Sequence, residues 1–143
     1  MNIRKAVPDD ALAIKKLVEQ LGYELTPETI RNKIERFIHD PDELLLVYTM
    51  ENSVTGFISI HFIPQIATTG DFAKISYFCV DEKSRGQKIG EELEKYCVQK
   101  ARERGCDRIE LHSHSRRTDA HRFYERLGYS ESPKYFIKRL EEK

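Results

Sequence analysis

The run Ser84-Arg85-Gly86-Gln87-Lys88-Ile89-Gly90-Glu91-Glu92-Leu93 holds the residue types in this chain best suited to bind an anion. It follows a strand-like apolar stretch, Ile75-Ser76-Tyr77-Phe78-Cys79-Val80, and leads into an amphipathic helix. A strand, a glycine-bearing basic turn and a helix N-terminus favour negative charge, through exposed backbone N–H groups and the helix dipole. Arg85 and Lys88 bring positive charge to the same place, and the glycines let a ligand approach the backbone with no Cβ in the way. A pyrophosphate suits such a turn, so a phosphate-bearing cofactor is expected. The Gly-Lys-Ser/Thr ending of a Walker loop is missing, as is the G-x-G-x-x-G spacing of a dinucleotide site. Glycines with basic residues ahead of a helix also make ordinary capped loops, so a second motif has to decide.

That motif is Arg117-Thr118-Asp119-Ala120-His121-Arg122-Phe123-Tyr124-Glu125-Arg126-Leu127-Gly128-Tyr129. Ala120, Phe123, Tyr124 and Leu127 fall on one helical stripe, and Gly128 suits a left-handed C-cap. Alone it reads as a short amphipathic helix ending in glycine. In their order and spacing, however, the two motifs resemble the GNAT superfamily of acyl-CoA N-acyltransferases. There the first reads Arg/Gln-x-x-Gly-x-Gly/Ala and the second Ala-x-x-Phe-Tyr-x-x-x-Gly-Phe/Tyr. The opening is similar as well, with Ile3-Arg4-Lys5-Ala6 as a first strand and Pro8-Asp9-Asp10-Ala11 starting a helix. The resemblance covers nearly the whole chain.

The resemblance implies acetyl transfer from acetyl-CoA to a primary amine of a small molecule, by direct attack in a ternary complex. It implies that the pantetheine arm of coenzyme A bonds to the backbone of Phe78, Cys79 and Val80. The pyrophosphate would meet the N–H groups of Gly86, Gln87, Lys88, Ile89 and Gly90, with Arg85 beside them. Arg117, Ala120 and Phe123 complete the implied cofactor set. Two positions depart from the family: Lys88 stands where glycine is usual, and Arg117 where many members carry asparagine. Tyr124 is the implied general acid, a phenol able to protonate the leaving thiolate.

The base is open. Many members place a glutamate on the strand where this chain has Ser76, and a serine cannot serve as a base. His61, on the strand before, is the candidate taken here, since an imidazole titrates near neutrality. His112, His114 and Glu24 are further candidates. Arg116 and Arg117 hint at an acceptor with an anionic group, such as an amino acid or an aminoalkylphosphonate. Two other functions stay open: acetylation of a protein lysine or N-terminus, and a non-catalytic CoA-binding regulatory module. The resemblance also implies a homodimer.

The elements that must position these residues follow from periodicity. A chain of 143 residues suits one domain, 1–143, with a sizeable core. The 24 basic and 24 acidic residues cancel, which argues against nucleic-acid or membrane partners. No apolar run approaches the roughly 18 residues of a membrane span. The polar N-terminus and an odd set of cysteines (Cys79, Cys97 and Cys106) point to a cytoplasmic protein, and no metal-ligand spacing is present.

Strands are predicted over 2–7, 43–49, 54–63, 72–80, 108–112 and 135–140, and helices over 10–21, 26–38, 88–104 and 117–127. Asp9 is the predicted cap of the first helix. The order β-α-α-β-β-β-α-β-α-β implies an α/β (α+β) fold, a mixed central sheet flanked by helices on both faces.

Overall fold

A computed structural model describes residues 2–112, 117–132 and 135–140. They fall into two compact units, dividing after His112. The first unit is a five-stranded sheet in the order β1-β2-β3-β4-β5, formed by Ile3–Lys5, Glu43–Met50, Ser53–Ile63, Phe72–Val80 and Arg108–Leu111. Neighbours are antiparallel except β4 and β5, which run parallel. Glu51 and Asn52, both at positive φ, close the β2–β3 hairpin in the manner of a two-residue turn.

Helices α1 (Ala11–Gln20) and α2 (Pro27–Ile38) cover one face and α3 (Ile89–Glu103) the other. On the first face Ile14, Leu17, Ile30 and Ile34 pack with Val47, Phe57 and Cys79. On the second, Ile89, Leu93, Cys97 and Ala101 pack on Leu46, Ile58, Ile60 and Ile75. The strands alternate between these two cores, as a sheet buried on both faces requires.

Thr26 caps α2, its hydroxyl accepting from the Thr29 N–H at 3.1 Å, with Pro27 in the first turn. The first helix begins differently from the sequence prediction. Residues Pro8–Asp10 form a 3-10 turn, and Asp10, not Asp9, makes the capping bond: its carboxylate accepts from the Val7 N–H at 2.8 Å. The turn moves the helix start forward, and Asp10 lies three residues after Val7, within reach of that N–H.

The second unit contains α4 (Thr118–Arg126). It ends in a Schellman closure: Tyr129 N–H reaches the Tyr124 carbonyl at 3.0 Å and Gly128 N–H the Glu125 carbonyl at 3.0 Å. Gly128 stands at φ +96°, as its predicted C-cap role needs. The predicted strand over 135–140 is not found, and these residues form no ladder. Tyr135, Phe136, Ile137 and Leu140 are each exposed. Apolar, β-prone residues define only half of a strand; the other half is a partner edge, which local sequence does not supply.

Candidate active site

Strand β4 changes partners along its length. Phe72–Ile75 pair with Arg108–Leu111 of β5 on one side and with β3 on the other. From Ser76 to Val80, where Phe78, Cys79 and Val80 are expected to meet the pantetheine arm, β3 is the strand paired with β4 among the described residues. A strand stretch flanked by one neighbouring strand is a place where an extended ligand can add alongside. The Cys79 side chain is buried against α1, donating to the Leu17 carbonyl at 3.4 Å. A thiol so placed packs and does not react.

Beyond Val80, Glu82–Ser84 make a 3-10 turn capped by Asp81, whose side chain accepts from the Lys83 N–H. Arg85 folds back, its Nε 3.4 Å from the Val80 carbonyl. Gly86, Gln87 and Lys88 are exposed, and Ile89 is buried as the first residue of α3. Lys88 itself caps α3 in the left-handed region, at φ +63°. Gly90 lies inside the first turn, followed by Glu91 and Glu92, which favour the positive end of the helix. Tyr48 on β2 holds this helix end by donating to Glu92 Oε2 at 2.5 Å. That bond to Glu92 is the main reason the Tyr48 phenol is raised above its ordinary value.

A β-bulge at Ser76 shapes the rest of the site. The β3–β4 ladder runs Ser59↔Tyr77 and then Ile60↔Ile75, which leaves Ser76 as the extra residue. Ile75 and Phe78 therefore both belong to the α3-side core, although they are three apart. Ser76 follows Ile75 of the α3-side core and so turns to the opposite face, where Ser76 Oγ is 2.6 Å from His61 Nε2. The other ring nitrogen, Nδ1, bonds to the carboxylate of Glu43, which lies directly opposite His61 in the β2–β3 ladder. Phe37 of α2 packs edge-on against the imidazole with centroids 6.2 Å apart. Lys74 stands opposite His61 in the β3–β4 ladder and opposite Glu110 in the β4–β5 ladder. Tyr23, in the α1–α2 loop, meets Tyr77 edge to face at 5.7 Å. Glu24 follows Tyr23 and is exposed. A cleft of about 470 Å³ opens at the start of β2, lined by Ile34, Phe37, Glu43, Phe62 and Arg104 among others, so it borders Glu43 and not the basic turn.

Within the second unit, Arg117 caps α4 and is exposed, while Ala120, Phe123 and Tyr124 are partly buried. The Tyr124 ring packs against Phe123 at 5.4 Å and Tyr129 at 5.7 Å. Burial pushes the Tyr124 phenol above its usual value, against the pull of Arg117. His112 is exposed after β5; His114 and Arg116 lie outside the described residues. Among the described residues no group of three metal-ligating side chains is placed to hold an ion, and no helix is long and apolar enough to cross a membrane.

The first unit thus gathers Phe78, Cys79, Val80, Arg85, Gly86, Gln87, Lys88, Ile89 and Gly90 along one strand and the turn that follows it, with His61 one strand away. Sequence reasoning passed over Glu43 as a partner of His61 and set Ser76 aside. The available signal was the apolar spacing in β4, where Ala73 and Ile75 are followed by Phe78 and Val80, out of step by one.

The chain is 32% identical over 139 residues to an aminoalkylphosphonate N-acetyltransferase of Salmonella typhimurium, covering 96% of this chain and 90% of that protein. A transcriptional regulator from Bacillus halodurans superposes with a TM-score of 0.85 at 25% identity, over 96% of this chain and 98% of that one. Glucosamine-6-phosphate N-acetyltransferase from Arabidopsis thaliana shares the fold, with a TM-score of 0.83 at 20% identity over 97% of each chain. The model of the acetyltransferase (GNAT) family matches residues 12–129, and the chain belongs to that family.

Proposed function

We propose that this chain moves the acetyl group of acetyl-coenzyme A onto the primary amine of a small molecule that also carries an anionic group, by direct attack in a ternary complex. The observation that carries this is His61, held by Glu43 and facing Ser76 of β4. An alkylammonium is a poor nucleophile until it loses a proton, and its ordinary pKa near 10 keeps it protonated at neutral pH. A neutral imidazole fixed by a carboxylate is suited to take that proton. Tyr124 supplies the proton to the leaving thiolate, and its raised value keeps the phenol protonated at neutral pH.

Coenzyme A lies along the Phe78–Val80 stretch of β4 with its pyrophosphate at Gly86–Gly90, and Arg85, Lys88 and Arg117 supply positive charge. The acceptor's anion is read by Lys74, a partly buried residue that stands between His61 and Glu110 in the sheet register. The aminoalkylphosphonate relative supports the same acceptor class. The family match, which crosses both units, supports reading 1–143 as one acetyltransferase domain. The enzyme is read as cytoplasmic and, from the family resemblance, as a homodimer.

The test is coenzyme A release with a panel of amines: aminoalkylphosphonates, amino acids, polyamines, aminoglycosides and a lysine peptide. Turnover on aminoalkylphosphonates or amino acids is expected. Lys74→Met should raise KM for these acceptors about tenfold, the loss of one charge contact. It should leave KM for an uncharged alkylamine in place. Preference for the lysine peptide, or release with no amine on the panel, would overturn the reading.

A further inference from the structure

We propose that Glu43, His61 and Ser76 form a nucleophilic triad, and that Ser76 takes the acetyl group of acetyl-coenzyme A when no amine is bound, giving a thioester hydrolase activity. The delivery of the thioester rests on the acetyl-coenzyme A site proposed above; the triad itself stands on its own geometry. Three adjacent strands each contribute one member. An ionised carboxylate can only accept, so His61 Nδ1 carries the proton that bonds to Glu43. In that tautomer the lone pair is on Nε2, placed to accept from the Ser76 hydroxyl at 2.6 Å.

Nucleophile, base and orienting carboxylate therefore stand in the order and at the distance that activate a serine. The His61 and Glu43 side chains are only 24% and 23% exposed, whereas Ser76 is exposed. The base is shielded and the nucleophile is open to a substrate. Strand alternation supplies this placement: Ser76 follows Ile75, and His61 lies between Ile60 and Phe62, so both face away from the α3-side core. Ser76 lies four residues before Val80 on the strand, roughly 13 Å back from the strand's end. An extended arm anchored by its phosphates at Gly86–Gly90 and running along β4 brings its far end toward Ser76.

The chemistry balances without a further reactant but water. Ser76 Oγ attacks the thioester carbonyl as its proton passes to His61 Nε2. The C–S bond breaks, and the departing thiolate takes the proton from the imidazolium. Water then attacks the acetyl ester, giving its proton to Nε2. The C–Oγ bond breaks, Ser76 Oγ regains a proton, and acetate leaves. A bound amine intercepts the thioester first, which keeps hydrolysis slow during normal turnover.

The test uses two probes on the full chain. A fluorophosphonate, which labels activated serines and needs no coenzyme A site, is followed by intact mass and peptide mapping. Acetyl-coenzyme A without amine is followed by thiol release and by an acetyl adduct on the Ser76 peptide. Labelling at Ser76 and an acetyl adduct there are expected. Both should vanish in Ser76→Ala, an exposed position where the fold is preserved. Labelling should slow on the order of 10²-fold in His61→Gln. Glu43→Gln should slow it by a comparable factor through the wrong tautomer, while the melting temperature of each variant reports folding. Labelling without an adduct supports the triad and counts against the acetyl-coenzyme A reading. No labelling and no adduct in folded wild-type protein overturns the triad.

Discussion

Gly86 and Lys88, two positions apart, both stand in the left-handed backbone region, at φ +88° and +63°. Glycine adopts that region freely, whereas a lysine there is strained by about 1 kcal/mol. This turn therefore accepts backbone strain at Lys88, where the family pattern it resembles has glycine, and gains an ammonium at the mouth of α3.

Replacing that lysine separates the two effects. Lys88→Gly relieves the strain but gives the unfolded chain more freedom, each worth about 1 kcal/mol or less. The melting temperature should move little. Affinity for coenzyme A should fall by roughly three- to tenfold, the worth of one exposed charge contact with phosphate. Its dependence on salt should weaken as well. Calorimetry at two ionic strengths checks this; unchanged affinity at both would show that the Lys88 ammonium points away from the ligand.

Most of this scaffold was legible in the sequence because its signals are local. The stripes of α1, α2 and α3, the Thr26-Pro27 start and the Gly128 stop each follow from residues within one or two turns. The basic turn at Arg85–Gly90 was legible for the same reason. What escaped depends on pairing between distant segments. Ser76 meets His61 through the β3–β4 register, and Glu43 meets it through the β2–β3 register. The expected strand at 135–140 failed from the opposite side, since it had a suitable composition but no ladder.

Gly70 is a second test of packing. A Cβ there would stand 2.2 Å from the Gly105 carbonyl oxygen and 2.9 Å from the Asp107 nitrogen. Both contacts are to backbone, and the Asp107 N–H is committed to the Asp71 carbonyl at 2.8 Å. The loop before β4 and the turn after α3 must therefore separate to admit a methyl group. Gly70→Ala should cost about 1–3 kcal/mol, lowering the melting temperature by roughly 4 °C per kcal/mol. Unchanged stability would mean the two loops part freely.

Arg4 and Asp10 govern the response to acid. Two parallel bonds join them, Nη1–Oδ2 at 2.8 Å and Nη2–Oδ1 at 2.9 Å, and the Val7 N–H adds a third to Oδ2. Burial pushes the Asp10 carboxyl up, but the Arg4 guanidinium and the Val7 N–H more than offset it, so its net position is below the ordinary value. A depressed carboxyl contributes stability that is complete above its unfolded pKa of about 3.9 and is lost as pH falls through the lower folded value. Asp10→Asn should therefore destabilise by about 1–3 kcal/mol at pH 7. Its gap from wild type should narrow below about pH 4. Denaturant midpoints at pH 7 and pH 3 check this; a gap that stays constant would remove Asp10 from the acid response.

Tyr124 tests the chemistry at the leaving group. Its phenol is raised by burial against the opposing pull of Arg117, so it holds its proton through neutral pH and beyond its ordinary value near 10. A general acid must be protonated when the thiolate departs, so the alkaline limb of kcat should not fall below that range on account of Tyr124. Tyr124→Phe keeps the ring that packs on Phe123 and Tyr129 and removes only the hydroxyl. Its kcat should drop by about 10²- to 10⁴-fold, with coenzyme A affinity held close to wild type. Steady-state kinetics beside calorimetry separate the two quantities. A drop in affinity with kcat preserved would make Tyr124 a packing residue, and an unchanged kcat would take it out of proton transfer altogether.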